Sequence, residues 1–161
     1  MTDLSLRIKQ LPPDLQIEIF KHTIVDMIIY HLDPEETPYG FRGSPETLAF
    51  WSTRIFRIIG ENRVRIFLNT TTHFIHDFNT WYGETYNTID EIINHLLALP
   101  RWFDFTIPLK YLDGLLRMYL SDVDVFRQIM TINRNTRNQL NIEEKLQTAF
   151  SKLINNRRVY R

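Results

Sequence analysis

The chain contains no cysteine among its 161 residues. It therefore has no disulfide framework, no thiolate zinc site and no cysteine nucleophile. Only five glycines are present, which leaves little material for a glycine-rich phosphate-binding loop. Its 19 basic and 19 acidic side chains cancel, so we expect no attraction of the whole molecule to nucleic acid or to an anionic membrane.

Long apolar runs are also missing. Residues 27–30 form one of the longest, and at four residues it is far below the roughly 20 that a membrane-spanning helix needs. The N-terminus does not show a basic region followed by an apolar one, as a secretory signal would. We therefore expect an intracellular protein, cytoplasmic or nuclear, with no membrane partner. A hydrophobic fraction of 43% predicts a packed globular fold rather than a disordered chain.

Helix-start signals recur along the chain and predict a mainly α protein of six or seven helices. Thr88 to Glu91 form a capping box, and the helix that follows is expected to end before Pro100. Pro108 and Ser121 are predicted to begin two further helices. Residues 64–68 and 102–107 alternate between apolar and other side chains. This pattern allows a short strand pair, although residues 64–68 also suit the start of a helix.

The stretch Leu11-Pro12-Pro13-Asp14-Leu15-Gln16-Ile17-Glu18-Ile19-Phe20 is the centre of the functional interpretation. Proline is tolerated in a first helical turn, and an acidic residue suits the positive end of the helix dipole. Apolar residues then continue to position 29 on nearly every side of the predicted helix. A broad apolar surface of this kind serves either a buried core helix or a helix that packs on a partner as well as on its own core.

Three segments together resemble the F-box, a helical module that docks on the Skp-family adaptor of cullin-type ubiquitin ligases. The first is Leu11 to Phe20, the second is residues 44–59 and the third is residues 63–67. The resemblance covers roughly residues 9–68. It departs from the family in the long link from Ile24 to Gly43, and in having Trp51-Ser52-Thr53 where a Val-Cys pair is common.

The resemblance implies an adaptor or substrate receptor, with residues 1–68 as an F-box-like helical module. Residues 69–161 would be a helical region packed on it in one continuous globular unit, and would present an unknown protein substrate. Apolar burial in a groove of the adaptor would supply affinity. The implied partner-binding residues are Leu11, Pro12, Leu15, Ile17, Ile19 and Phe20. The alternative is a helical scaffold protein or homo-oligomer in which Leu15, Ile19 and Phe20 are core.

The C-terminal end of the chain is basic. From residue 125 onwards eight basic side chains face two acidic ones, which suits phosphate or an acidic protein as well as a simple solvated tail. A second alternative is therefore a nucleic-acid-associated protein, although aromatic side chains for stacking on bases are scarce there, so nucleic acid is an unfavoured partner. The candidate basic surface consists of Arg134, Arg137, Lys152, Arg157 and Arg158.

Catalytic constellations have little support in the sequence. His73 and His76 lie three residues apart and Asp77 follows them, but two histidines and one carboxylate do not complete a zinc site. The His76-Asp77 pair resembles the signature of HD-domain phosphohydrolases, yet the earlier histidine and later aspartate of that family cannot be placed. We therefore predict a non-enzymatic protein with no metal and no cofactor.

Overall fold

A computed structural model describes residues 7–33, 36–37, 40–41, 45–71, 73–99, 107–135 and 144–159. Side chains are described for 7–33, 46–71, 73–99, 107–132 and 148–155. The prediction of a mainly α protein is confirmed. In these ranges a helical turn at 7–9 precedes eight helices: α1 Pro13–Leu32, α2 Pro45–Ile59, α3 Glu61–Asn69, α4 Phe74–Tyr82, α5 Ile89–Ala98, α6 Leu109–Tyr119, α7 Val123–Asn135 and α8 Glu144–Val159.

Strand structure in the described ranges is limited to a two-residue antiparallel pair. β1 is Glu36–Thr37 and β2 is Gly40–Phe41, with Glu36 opposite Phe41 and Thr37 opposite Gly40. The strand alternative for residues 64–68 is wrong, because these residues belong to α3, where Val64, Phe67 and Leu68 are buried at helical spacing. The predicted strand at 102–107 lies almost entirely outside the described residues. Nor does any described helix combine the length and apolar character needed to cross a membrane.

The chain divides into two compact units. Unit 1 comprises Met1–His31 and Leu116–Arg161, and unit 2 comprises Leu32–Leu115. The predicted boundary at residue 68 differs from this division, because α1 belongs to unit 1 whereas α2 and α3 belong to unit 2. The division into an F-box-like module at residues 1–68 and a helical region at residues 69–161 stays a prediction that depends on the sequence resemblance. The compact units follow packing within each group of helices.

Unit 1 is held together by apolar packing. The rings of Phe126 on α7 and Phe150 on α8 lie 4.3 Å apart between centroids, and both side chains are buried. Ile24 and Ile28 on α1 are completely buried. Asp122 caps α7, since its Oδ1 accepts hydrogen bonds from the backbone N–H groups of Asp124 and Val125 at 2.9 and 3.3 Å. The sequence had indicated Ser121 as the cap, one residue earlier.

Unit 2 contains α2 to α5 and the start of α6. Thr88 caps α5 as predicted, because its Oγ1 accepts a 3.2 Å hydrogen bond from the Glu91 backbone N–H. Gly114 lies where α6 approaches α3. A Cβ built at this glycine would lie only 2.6 Å from the ring of Phe67, so the close approach of that ring explains a residue that otherwise weakens a helix.

Candidate protein-docking site

The start of α1 is fixed by its own backbone and by one glutamine. The Pro12 carbonyl accepts hydrogen bonds from the N–H groups of Leu15 and Gln16 at 3.0 and 3.1 Å, so the helix begins directly after it. The Gln16 Nε2 donates back to the Leu11 carbonyl at 2.8 Å. The bond from Leu15 satisfies one of the backbone N–H groups that the start of a helix leaves open. Together these bonds hold Leu11 and Pro12 against the first turn.

One face of α1 is core. Ile17, Ile24 and Ile28 repeat at helical spacing and are all buried, with Ile17 only 1% exposed. Ile17 was predicted as a partner-binding residue, but its side chain contributes to the interior and presents no surface. The periodicity that makes this face apolar is that of an ordinary amphipathic helix.

The opposite face is apolar in the first half of the helix. Pro12, Leu15 and Ile19 are spaced three and four residues apart and therefore share one face. Pro12 is exposed, Leu15 is 50% exposed and Ile19 is half-buried. We call these three residues the apolar strip. Leu11 and Phe20 are also half-buried. Of the three residues that the scaffold alternative places in the core, Leu15 is thus exposed, whereas Ile19 and Phe20 are half-buried.

Beyond Ile19 the exposed face becomes polar. Arg117, on α6 and in the same unit, donates hydrogen bonds to Nδ1 of His22 and to Oδ1 of Asp26. On the core side, Lys21 buries its stem and extends its ammonium to Glu18 Oε1 at 2.8 Å. The apolar strip therefore ends at a set of paired charges.

The second segment of the resemblance is largely interior. Trp51, Ser52 and Thr53, which stand where the family commonly has Val-Cys, are all completely buried in unit 2. The Ser52 hydroxyl donates to the Leu48 carbonyl one turn earlier at 2.7 Å. These residues fill the core of their unit, and the candidate docking surface is confined to the start of α1 and to Pro12, directly before it.

Asp77, which follows the two histidines in the sequence, links two helices. Its Oδ2 accepts a hydrogen bond from the Tyr111 hydroxyl at 2.6 Å and lies 2.7 Å from the Lys110 ammonium, which joins α4 to α6. His73 and His76 are exposed. Over the described residues, no three His, Asp or Glu side chains are grouped as a metal ion would require.

The electrostatics of this link follow from the same contacts. Hydrogen bonding from Lys110, and then from Tyr111, holds the pKa of the Asp77 carboxyl below its ordinary value. Burial raises the pKa of the Tyr111 hydroxyl well above its usual range, and the neighbouring Asp77 raises it further. At neutral pH the tyrosine is therefore a proton donor to an ionised carboxylate, which is a strong, charge-assisted pair.

Most of the predicted basic surface lies outside the described side chains. Lys152 is exposed on α8. Arg134, Arg157 and Arg158 lie in helices whose side chains are not described at those positions, and Arg137 lies outside the described residues altogether. Of the five residues of the predicted basic surface, only Lys152 therefore has a described side chain.

Sequence reasoning missed Arg117, which defines where the apolar strip ends. The residue is 91 positions from Asp26 along the chain, and no local spacing pattern connects them. The i, i+4 placement of His22 and Asp26 was visible and indicates a shared helix face, but it does not name the cation that contacts them.

Comparisons of the chain with protein-family models, with curated proteins and with solved structures give no match. The functional interpretation therefore depends on the residues of α1 and their environment.

Proposed function

We propose that the chain is an F-box-like adaptor that docks on a Skp-family protein of a cullin-type ubiquitin ligase through the apolar strip of α1. The single observation that carries the proposal is the exposure of Leu15. Its side chain is 50% exposed in the middle of the motif, on a helix whose opposite face is fully buried. Removing an exposed leucine from water on binding is worth roughly 1 to 2 kcal/mol.

The shape of the strip suits helix-in-groove recognition. Pro12, Leu15 and Ile19 form the i, i+3, i+7 series of anchors that such complexes use. Leu11 and Phe20, which are half-buried, add apolar area beside the anchors. The ion pairs Lys21–Glu18 and Arg117–Asp26 follow along the helix, and a partner groove must therefore be apolar at one end and polar at the other.

The orientation of the strip is fixed before binding. Gln16 ties the segment before the helix to the first turn, and Ile17, Ile24 and Ile28 anchor the other face in the core. Such a preorganised helix loses little conformational entropy when it binds, which favours affinity.

The test is titration of the purified chain with a purified Skp-family adaptor by isothermal calorimetry. We expect Leu15→Ala to weaken binding at least tenfold, as truncation of a central apolar anchor does. The matched control is Tyr30→Ala, which changes a side chain of the same helix with nearly equal exposure, 53%, outside the motif. This control is expected to bind within twofold of the wild type.

Two outcomes would overturn the proposal. The first is a folded wild-type chain that does not bind the adaptor. The second is equal loss of affinity in Leu15→Ala and Tyr30→Ala. If the adaptor does not bind and sedimentation equilibrium shows a dimer that Leu15→Ala dissociates, the strip is instead a contact between two copies of the chain.

A further inference from the structure

One face of α2, in unit 2, carries a stripe of half-buried side chains. Phe50, Arg54 and Ile58 are spaced four residues apart, so they lie along one side of the helix, and each of them is half-buried. We call these three residues the α2 stripe. Its two ends are apolar and its middle is a cation. None of the three belongs to the apolar strip of α1.

Arg54, in the middle of the stripe, contacts a ring but no carboxylate among the described residues. Its guanidinium carbon lies 4.0 Å from the centroid of the Phe50 ring. This cation–π contact uses the flat face of the guanidinium and leaves its N–H groups available. The Nη1 atom is buried and has no hydrogen-bond partner. Arg65 in the same unit differs, because it lies against the carboxylates of Glu61 and Asp90.

An unpaired cation that is partly withdrawn from water is unfavourable, because part of its hydration is lost and nothing replaces it. Such a cation attracts an incoming anion more strongly than a fully hydrated arginine does, since the dielectric constant around it is lower. The contact with Phe50 also holds the guanidinium in place, which reduces the ordering that binding requires. Arg54 is therefore suited to an anionic partner.

The charge of the stripe and its apolar ends select the kind of anion. Within α2 the carboxylate is that of Glu46, eight residues before Arg54 and roughly 12 Å away along the axis, which is too far for an ion pair. A single guanidinium matches the single charge of one carboxylate, and the two can form parallel N–H···O bonds. Phe50 and Ile58 offer apolar contacts on either side. An acidic side chain with apolar neighbours is thus the best match.

The length of the stripe defines the spacing of side chains in the partner. Phe50 and Ile58 are eight residues apart, which is roughly 12 Å at 1.5 Å per residue. An extended peptide rises about 3.3 Å per residue, and its alternate side chains point to the same side. Side chains at the first, third and fifth positions of such a peptide span about 13 Å. They therefore match the three residues of the stripe.

We infer that the α2 stripe binds an extended segment of a partner protein in which one acidic side chain stands between two apolar ones at alternate positions. The carboxylate lies against the guanidinium of Arg54, and the apolar side chains lie against Phe50 and Ile58. The inference does not depend on adaptor docking, because the stripe belongs to unit 2 whereas the apolar strip belongs to unit 1.

The test uses the blocked pentapeptide N-acetyl-leucyl-alanyl-glutamyl-alanyl-leucine amide, which is too short to form a stable helix. Backbone amide signals of the chain are followed by NMR. A contact of this size predicts millimolar affinity, with shifts concentrated at residues 50–58. The glutamine analogue has the same shape without the charge and is expected to bind at least fivefold more weakly. The lysine analogue is expected to bind more weakly still.

Two arginine substitutions form a matched pair. Arg54→Met keeps an unbranched side chain for packing but removes the charge, so we expect it to abolish the preference for the glutamate peptide over the glutamine peptide. Arg127→Met removes an exposed arginine of α7 in unit 1 and is expected to keep the fivefold preference. Arg54→Lys retains the charge without the planar fork, so an intermediate preference is expected.

Three results would overturn the inference. The first is the absence of shifts at residues 50–58, and the second is equal binding of the glutamate and glutamine peptides by the wild-type chain. Neither of these depends on the folding of a variant. The third is a preference for glutamate that persists in folded Arg54→Met. Each result leaves adaptor docking by α1 untouched, and a chain that binds the glutamate peptide but not the adaptor retains the α2 stripe as a docking surface.

Discussion

The first helix exposes an apolar side chain to water, whereas the link between α4 and α6 buries a polar group and gives it a hydrogen-bond partner. On α1, Leu15 is apolar, and half of its surface is exposed to water. At the link, the buried Tyr111 hydroxyl is polar and is satisfied by Asp77 at 2.6 Å. Among the described residues, the hydroxyl has a hydrogen-bond partner, whereas half of the leucine surface is left in contact with water. The α4–α6 link therefore contributes to stability, and the exposed part of α1 is where the proposed docking would take place.

The largest expected effect tests the difference between the buried face and the exposed face of α1. Ile24→Ala removes a completely buried side chain from the core face and leaves a cavity. We expect a loss of about 2 to 5 kcal/mol in the free energy of unfolding, measured by urea denaturation. A loss below about 1 kcal/mol would mean that the core face of α1 is loosely packed, and the distinction between its two faces would fail.

The next effect concerns the α4–α6 link. Asp77→Ala leaves the buried Tyr111 hydroxyl without its acceptor, which costs about 1 to 3 kcal/mol. Tyr111→Phe removes the donor and leaves a half-buried carboxylate that retains Lys110 at 2.7 Å, so a smaller cost is expected. A double-mutant cycle in urea measures the pair directly. Additive losses would show that the two side chains do not interact in solution.

The pH dependence of the same link has a definite sign. The folded-state pKa of Asp77 lies below the ordinary value of 3.8, so the unfolded chain binds the proton more readily. The stabilisation is therefore complete above 3.8 and is lost as the pH falls through the lower, folded-state value. The Asp77→Asn variant should have a lower free energy of unfolding than the wild type at pH 7. This difference should become smaller as the pH is lowered to 2.5. A constant deficit would contradict the assigned role of the carboxylate.

A smaller effect is expected at Gly114, where two contributions oppose each other. Alanine raises helix propensity by about 1 kcal/mol, but its Cβ would lie 2.6 Å from the buried ring of Phe67. Overpacking of this kind costs about 1 to 3 kcal/mol. We expect Gly114→Ala to destabilise the chain by up to about 2 kcal/mol in thermal unfolding. A clear stabilisation would show that Phe67 moves aside without cost.

Local signals in the sequence predicted much of the fold. The capping box at Thr88, the proline start of α1 and the helical spacing on α7 depend on neighbours within a turn or two, and each was visible. The secondary structure of residues 64–68 was ambiguous, because an alternation over only five residues suits both a strand and the start of a helix. The cap of α7 was misplaced by one residue since serine and aspartate both suit that position.

The candidate site was only partly predictable for a physical reason. Periodicity indicates that α1 is apolar on most sides, but it does not tell which apolar side chains the rest of the chain covers. Ile17 and Leu15 are equivalent in the sequence, and tertiary packing alone separates them into core and surface. Likewise Arg117 contacts α1 from a position distant along the chain, so no local pattern contains this contact.

The smallest expected effect is the most informative about α1. Because Leu15 is 50% exposed, its truncation to alanine removes few contacts, and alanine is the better helix former. We expect Leu15→Ala to change the free energy of unfolding by less than about 0.5 kcal/mol, as surface substitutions usually do. The same substitution is expected to cost tenfold in adaptor affinity, so stability and binding separate at one residue. A loss above about 2 kcal/mol would require cover over Leu15 in solution. If that loss grew with protein concentration, the cover would be a second copy of the chain, because only a contact between molecules gives a stabilisation that depends on protein concentration.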